Sequence, residues 1–497
     1  MAQLFIPVKE LKPYHVLLYV IGIFAILTPL TFLVKDDVIN LGGVEFRFLG
    51  IDNALVPLKP VKNKDISNIV KVDTMNIEGP AVDTLVKNSF QTDGKMGAPS
   101  GGALSGESAT KIEYAYSGEQ ALARFFEKLE AAATGKKVRV LHYGDSQIEG
   151  DRMTSYIRQR LQAQFGGNGP GTIPAMNVYN TFTFKQRYSE NFKRYTAFGG
   201  AKLKSKRYGS ICTAARFTPE YDSSEMAGIT SIKEAFIEIE PSASAYERAR
   251  KFNNVYMYYT SCTKPCKVKV YKGEELIHED SLIQDGRYHS MALSFPSTPS
   301  KLRYEFSAAV SPTIIGFSLE GDYGVQVDNV GMRGSSGTFF GKIDHTTASK
   351  MYSEQNVEMV IMQFGGNSVP YLKDSSGVRN FAKNFRGQLA TLKKLRPNVT
   401  VMVIGPSDMS TSSVNGMVSY KMIPYLVSEM KRVTIEVGGC YWDLFGAMGG
   451  LNSMPSWVDQ GLAGRDYIHF TNKGASIASQ LFFDALAAEY VRWKAGK

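Results

Sequence analysis

The stretch KVRVLHYGDSQ, residues 137–147, decides the fold. Val138, Val140, Leu141 and Tyr143 make its first seven residues a short apolar run, the composition of a buried strand. Gly144-Asp145-Ser146 ends the run. Amphipathic helical patterns flank it: EQALARFFEKLEAAA at 119–133, closing before Gly135, and DRMTSYIRQRLQAQF at 151–165, stopped by Gly166 and Gly167. Helix, strand, helix is the start of an α/β domain. Ser146 is thus predicted at the carboxyl end of a strand, where open α/β sheets bind ligands, with a helix N-terminus behind it to favour negative charge. A plain strand–helix turn with a capping residue is the competing reading.

Beyond residue 169 the texture changes. VYMYYT, KVKVYK, SMALSF and LRYEFS alternate in polarity between Gly, Pro and Ser turns, which predicts an antiparallel β-sandwich over 169–322. Parallel-strand runs then return, VEMVIMQF at 357–364 and VTVMVI at 399–404. Helical stretches at 378–394, 420–436 and 475–493 separate and follow them. The expected architecture is an α/β domain with a parallel sheet, made from 112–168 and 323–497 and interrupted by the β module. Residues 36–111 read as a spacer, ending in a Gly/Ser/Ala-rich linker, QTDGKMGAPSGGALSGESATK.

The run VLLYVIGIFAILTPLTFLV, beginning at Val16 and ending at Val34, carries no charge and is long enough to approach a ~30 Å hydrocarbon core. It predicts a transmembrane anchor within 1–35. Lys9 and Lys12 before it favour an N-terminus on the cytoplasmic side. The rest of the chain would then lie outside the cytoplasm. A net charge of +10 favours acidic polymers or anionic surfaces as neighbours. Four cysteines are too few for a disulfide scaffold, although a local disulfide between Cys262 and Cys266 fits an extracytoplasmic setting. No phosphate loop, dinucleotide fingerprint or zinc-ligand spacing is present.

Three further segments carry chemistry. Asp466-Tyr467-Ile468-His469 places a histidine three residues after an acid, the pair needed to activate a serine and to orient its base. Gly365-Gly366-Asn367-Ser368 follows an apolar strand and offers an amide to a developing oxyanion. Gly331-Met332-Arg333-Gly334 offers a glycine N–H for the same purpose.

In this order the segments resemble the four-block signature of the SGNH (GDSL-type) hydrolases. The resemblance implies Ser146 as nucleophile, His469 as base and Asp466 as its orienter, with the N–H of Ser146, Gly334 and Asn367 forming the oxyanion hole. It implies no metal or organic cofactor. Ser368 stands where the family usually has Asp, Gly331 rivals Gly334, and the gap from Ser146 to Gly334 is far longer than usual. An SGNH domain interrupted by a module like a carbohydrate-binding one resembles the bacterial peptidoglycan O-acetylesterases. The expected function is removal of O-acetyl groups from a cell-envelope polysaccharide, by a catalytic domain in the periplasm that a single pass holds to a bacterial inner membrane. An O-acetyltransferase, supplied by a membrane acyl-transfer partner, is one alternative, and a non-catalytic glycan-binding protein is another.

The basic stretch from Lys185 to Arg207, interleaved with Tyr188, Phe192, Tyr195 and Tyr208, has the composition of a nucleic-acid surface. In that compartment it reads instead as glycan or anionic-polymer contact, or as a solvated loop, so no nucleic-acid partner is expected. Tyr256 and Tyr258 fall on one strand face and read as packing rather than as a sugar platform.

Overall fold

The computed structural model describes residues 12–33, 38–41, 44–47, 63–70, 111–414 and 416–497. Most of the spacer and linker expected over 36–111 lies outside them. The chain divides into two units. The first, Met1–Lys62 with Ser412–Met417, holds a helix, Pro13–Leu33, and an antiparallel strand pair, Val38–Leu41 with Val44–Arg47.

Among the described residues no helix is long and apolar enough to cross a membrane. The helix Pro13–Leu33 carries Pro29 inside it, where proline removes a backbone hydrogen bond and crowds the preceding turn. The transmembrane helix expected from Val16 to Val34, and the single-pass inner-membrane placement built on it, are corrected accordingly.

The second unit is built on a six-stranded mixed sheet. Its strands in chain order are β1 (Ile112–Tyr114), β2 (Lys137–Gly144), β3 (Gly324–Gly331), β4 (Val357–Gln363), β5 (Thr400–Ile404) and β6 (Cys440–Trp442). In space the order is β3-β2-β4-β5-β6-β1, parallel throughout except for antiparallel β1 at the edge. Side chains alternate across β2, so Val138 and Val140 face one core while Leu141 and Tyr143 face the other. On the first face lie α1 (Tyr116–Ala133), α2 (Thr154–Phe165) and the last helix, α6 (Asn472–Ala495). On the second lie α3 (His345–Glu354), α4 (Ser375–Leu395) and α5 (Ile423–Glu436). A parallel sheet needs both faces covered, and these helices cover them. Ile66 and Ile69, read from sequence as part of the spacer, are buried in the first core, and the Lys64 carbonyl accepts from Ser456.

Between α2 and β3 the chain makes two antiparallel sheets. One runs His289–Ser294, Asn254–Thr260, Thr313–Glu320, Thr213–Arg216, Lys193–Thr196, with Gly171–Pro174 also paired to Thr313–Glu320. The other runs Glu275–Ser281, Cys266–Lys272, Leu302–Ala308, Lys233–Pro241, Phe184–Tyr188. Residues such as Val255, Met257, Phe317, Val268, Val270 and Tyr304, drawn from both sheets, form a third core. Cys262 and Cys266 are separate buried thiols here, not a disulfide. The Cys262 Sγ donates to the Lys264 carbonyl at 3.5 Å, and burial pushes that thiol up to about 11.

A buried charge network joins β2 to the strands of the β region. Arg139 is 2 % exposed. Its Nη1 donates to Asp328 (2.6 Å) on β3 and to Thr172 (2.9 Å). Its Nη2 donates to Ser318 (3.0 Å) and to Glu320, and its Nε to the Gln355 carbonyl (3.4 Å). Lys137 adds a second cation at 3.0 Å from Glu320. Burial alone would push the Glu320 carboxyl up, yet Arg139 and Lys137 hold it below its usual range. Removing the Arg139 cation leaves the buried Asp328 carboxyl without a cationic partner and leaves Glu320 with Lys137 alone. Arg139→Met is therefore expected to destabilise the fold by ~3–5 kcal/mol in urea unfolding, and Arg139→Lys by a smaller amount. A loss under about 1 kcal/mol would show that the network is not what holds these strands together.

Candidate active site

Strands β2, β4 and β5 run parallel and end level with one another. The segments leaving their carboxyl ends line one cleft of about 180 Å³. Asp145, Ser146 and Gln147 follow β2; Phe364, Gly366 and Asn367 follow β4; Pro406, Ser407 and Met409 follow β5. Ile468 and His469 close it from the loop before α6. Gly144 makes the first turn tight, since a Cβ there would come within 2.9 Å of the Ile148 side chain. Gly365 stands at φ +116°, open only to glycine.

The Ser146 Oγ lies 2.8 Å from His469 Nε2, and His469 Nδ1 lies 2.7 Å from Asp466 Oδ2. The carboxylate requires Nδ1 to carry the proton, which leaves Nε2 free to accept from the serine. The other oxygen of Asp466 accepts the N–H groups of Ile468 (3.0 Å) and His469 (3.1 Å). Partial burial pushes the Asp466 carboxyl up, but His469 and these N–H groups hold it below its usual range, so it is the ionised partner. Tyr467 between them takes a left-handed φ of 56°, which folds Asp466 back under the imidazole.

Two residues that sequence reasoning missed tie the two ends of this chain of bonds together. Gln147 donates to the Ile468 carbonyl (2.6 Å) and accepts the Phe470 N–H (3.2 Å), so it grips the backbone on both sides of His469. Arg152 donates to the carbonyls of Ser146 and Phe470, the latter at 3.1 Å. Neither belongs to a local pattern that a single sequence displays. Their partners around His469 lie more than 300 residues away.

Three expectations change in detail. The helix behind the serine starts at Thr154, not at 151. Gly150 (φ 66°) and Asp151 (φ 71°) turn the chain left-handed first, so the α2 N-terminus does not stand directly behind Ser146. Asn367 reaches the cleft, but its amide nitrogen donates to Asp145 (3.1 Å) and to the Ser335 carbonyl (3.1 Å). Both amide protons are engaged. Gly334, at φ 76°, neighbours that carbonyl and does not line the cleft. Among the described residues the Ser146 N–H has no partner, and it is the donor nearest the nucleophile.

Asp145 is buried, and burial pushes its carboxyl up to about 6 against the pull of the Gln147 N–H, His469 and Asn367. A raised folded value means that the folded state holds this proton where the unfolded chain has released it. The stabilisation is complete below about pH 4 and lost as the pH rises through 6. Asp145→Asn should therefore gain on the wild type by ~1–3 kcal/mol between pH 4 and 6.5, whatever their offset at low pH. Urea unfolding at several pH values checks this, and parallel profiles would contradict it.

No protein-family model and no curated protein matches the chain. A solved peptidoglycan O-acetylesterase is 19% identical and superposes with a TM-score of 0.57, covering 74% of this chain and 96% of that one. A family two carbohydrate esterase from Cellvibrio japonicus is 8% identical with a TM-score of 0.25, covering 63% and 99%. A family 32 CBM of C. perfringens NanJ is 9% identical with a TM-score of 0.17, covering 30% and 98%. The last two scores are too low to carry an argument, and the first is a likeness of fold. On that likeness, the chain has an SGNH-esterase-like fold.

Proposed function

We propose that this protein is a serine esterase that removes O-acetyl groups from a cell-envelope glycan such as peptidoglycan. The observation that carries the reading is the aligned chain Asp466–His469–Ser146, with bonds of 2.7 and 2.8 Å at the carboxyl end of a parallel sheet. The peptidoglycan O-acetylesterase of similar fold supports the choice of substrate.

Ser146 Oγ attacks the acetyl carbonyl while its proton passes to His469 Nε2. Asp466 steadies the imidazolium through Nδ1–H. The tetrahedral oxyanion meets the Ser146 N–H. Asn367 joins it only by giving up its bond to Asp145 or to Ser335. Collapse expels the sugar hydroxyl, which takes the proton from Nε2 and leaves acetyl-Ser146. Water then gives a proton to Nε2 and attacks the acyl carbon. The departing Ser146 oxygen regains that proton, and acetate leaves.

The full chain should release acetate from O-acetylated peptidoglycan, and Ser146→Ala should lower the turnover by ~10⁴-fold or more with an unchanged circular dichroism spectrum. A wild type that releases no acetate from the acetylated glycan, or a variant that keeps a tenth of the turnover, would overturn the reading.

A further inference from the structure

Tyr371 is 81% exposed, more than any other large apolar side chain among the described residues. A single exposed ring is ordinary on a protein surface, and it bears on binding only when it stands at a concave site. This one does. Tyr371 ends the short 3-10 turn Gly366–Tyr371 that begins beside Asn367, and it lines the same cleft as Ser146 and His469.

The ring is presented rather than left loose. Val369 in the same turn is buried in the second core, and Pro370 fixes the backbone beside the tyrosine. The turn is tied at both ends, by Ser368 N–H to the Gly365 carbonyl at 2.9 Å and Leu372 N–H to the Val369 carbonyl at 3.2 Å. Among the described residues the Tyr371 hydroxyl has no hydrogen-bond partner. The position therefore offers a flat apolar face and an unused hydroxyl, on a fixed turn, at the mouth of the cleft.

The cleft floor holds Ser146, so an acyl group must enter and the alcohol part of the ester must stay at the mouth. No lysine or arginine lines the cleft. Its lining therefore suits an uncharged alcohol better than a phosphorylated one. A pyranose has both features that match the ring: a face of C–H groups and a rim of hydroxyls.

We propose that Tyr371 is the platform on which the sugar ring bearing the ester stacks, and that it sets the preference for saccharide esters over simple ones. The assignment rests on the esterase reading above. Steady-state kinetics of the full chain, as wild type, Tyr371→Ala and Tyr371→Phe, test it. The two substrates are an O-acetylated chito-oligosaccharide and ethyl acetate, an ester with no ring to stack. The ratio of kcat/KM for the saccharide over that for ethyl acetate should fall ~10-fold or more in Tyr371→Ala, carried by KM, because a platform binds ground and transition states alike. In Tyr371→Phe, which keeps the face, the ratio should fall by less than about 3-fold, the loss of one exposed neutral hydrogen bond. An unchanged ratio in Tyr371→Ala, or an equal fall in both variants, overturns the platform alone. A wild type that cleaves ethyl acetate but no acetylated saccharide overturns the platform and the proposed function together.

Discussion

A 2.8 Å hydrogen bond joins Ser146 to His469 across 323 residues of chain, and much of the second unit serves to let it form. Bringing such distant segments together costs loop-closure entropy, and one hydrogen bond returns only ~1 kcal/mol. The cost is met elsewhere, in the burial of the two cores that clothe the mixed sheet. The parallel register of β2 against β4 and β5 then delivers three strand ends to one edge. Gln147 and Arg152 do the last part of the positioning, by holding the backbone around the base to the backbone around the serine. Such a geometry is set before any substrate arrives, and catalysis of acyl transfer depends on that.

The β region between α2 and β3 would disturb this alignment if it were loosely attached. It re-enters the α/β sheet through β2's own neighbour, since β3 pairs with β2 along its whole length. Arg139 sits at that seam with all its donors engaged, facing Asp328 on β3 and Glu320 at the end of the preceding strand. A buried ion network is a poor source of net stability, but it penalises any slipped arrangement that leaves a charge unmatched. Fixing the seam fixes the turn after Gly331 as well, where Arg333 pairs with Glu149 from the catalytic side at 2.6 and 2.7 Å.

How much of this could be read from sequence varies with the range of the interaction. KVRVLHY shows a buried strand because its signal is local, and it is the strand Lys137–Gly144. The same holds for VEMVIMQF and VTVMVI, and the α/β class follows from them. Ser146, Asp466 and His469 stand out as residue types at telling places. The carboxylate–imidazole pair lies only three residues apart, close enough to be suspected in one dimension. Gln147, Arg152 and Arg139 were not legible, because what marks them is the identity of distant partners. The start of α2 is not legible because Asp151 opens an amphipathic pattern while its backbone turns left-handed. The apolar run from Val16 to Val34 suggests a span by its composition, but among the described residues no helix is long and apolar enough to cross a membrane. Asn367 was assigned by its residue type, and only coordinates show its amide already committed to Asp145 and Ser335.

The central claim is that this alignment makes Ser146 a nucleophile. Intact-mass and peptide mass spectrometry after brief exposure to a fluorophosphonate tests it most directly, because the reagent needs an activated serine and no glycan. The account predicts one adduct, on Ser146, that disappears in His469→Ala. Labelling of another serine, or undiminished labelling of Ser146 without His469, would contradict it.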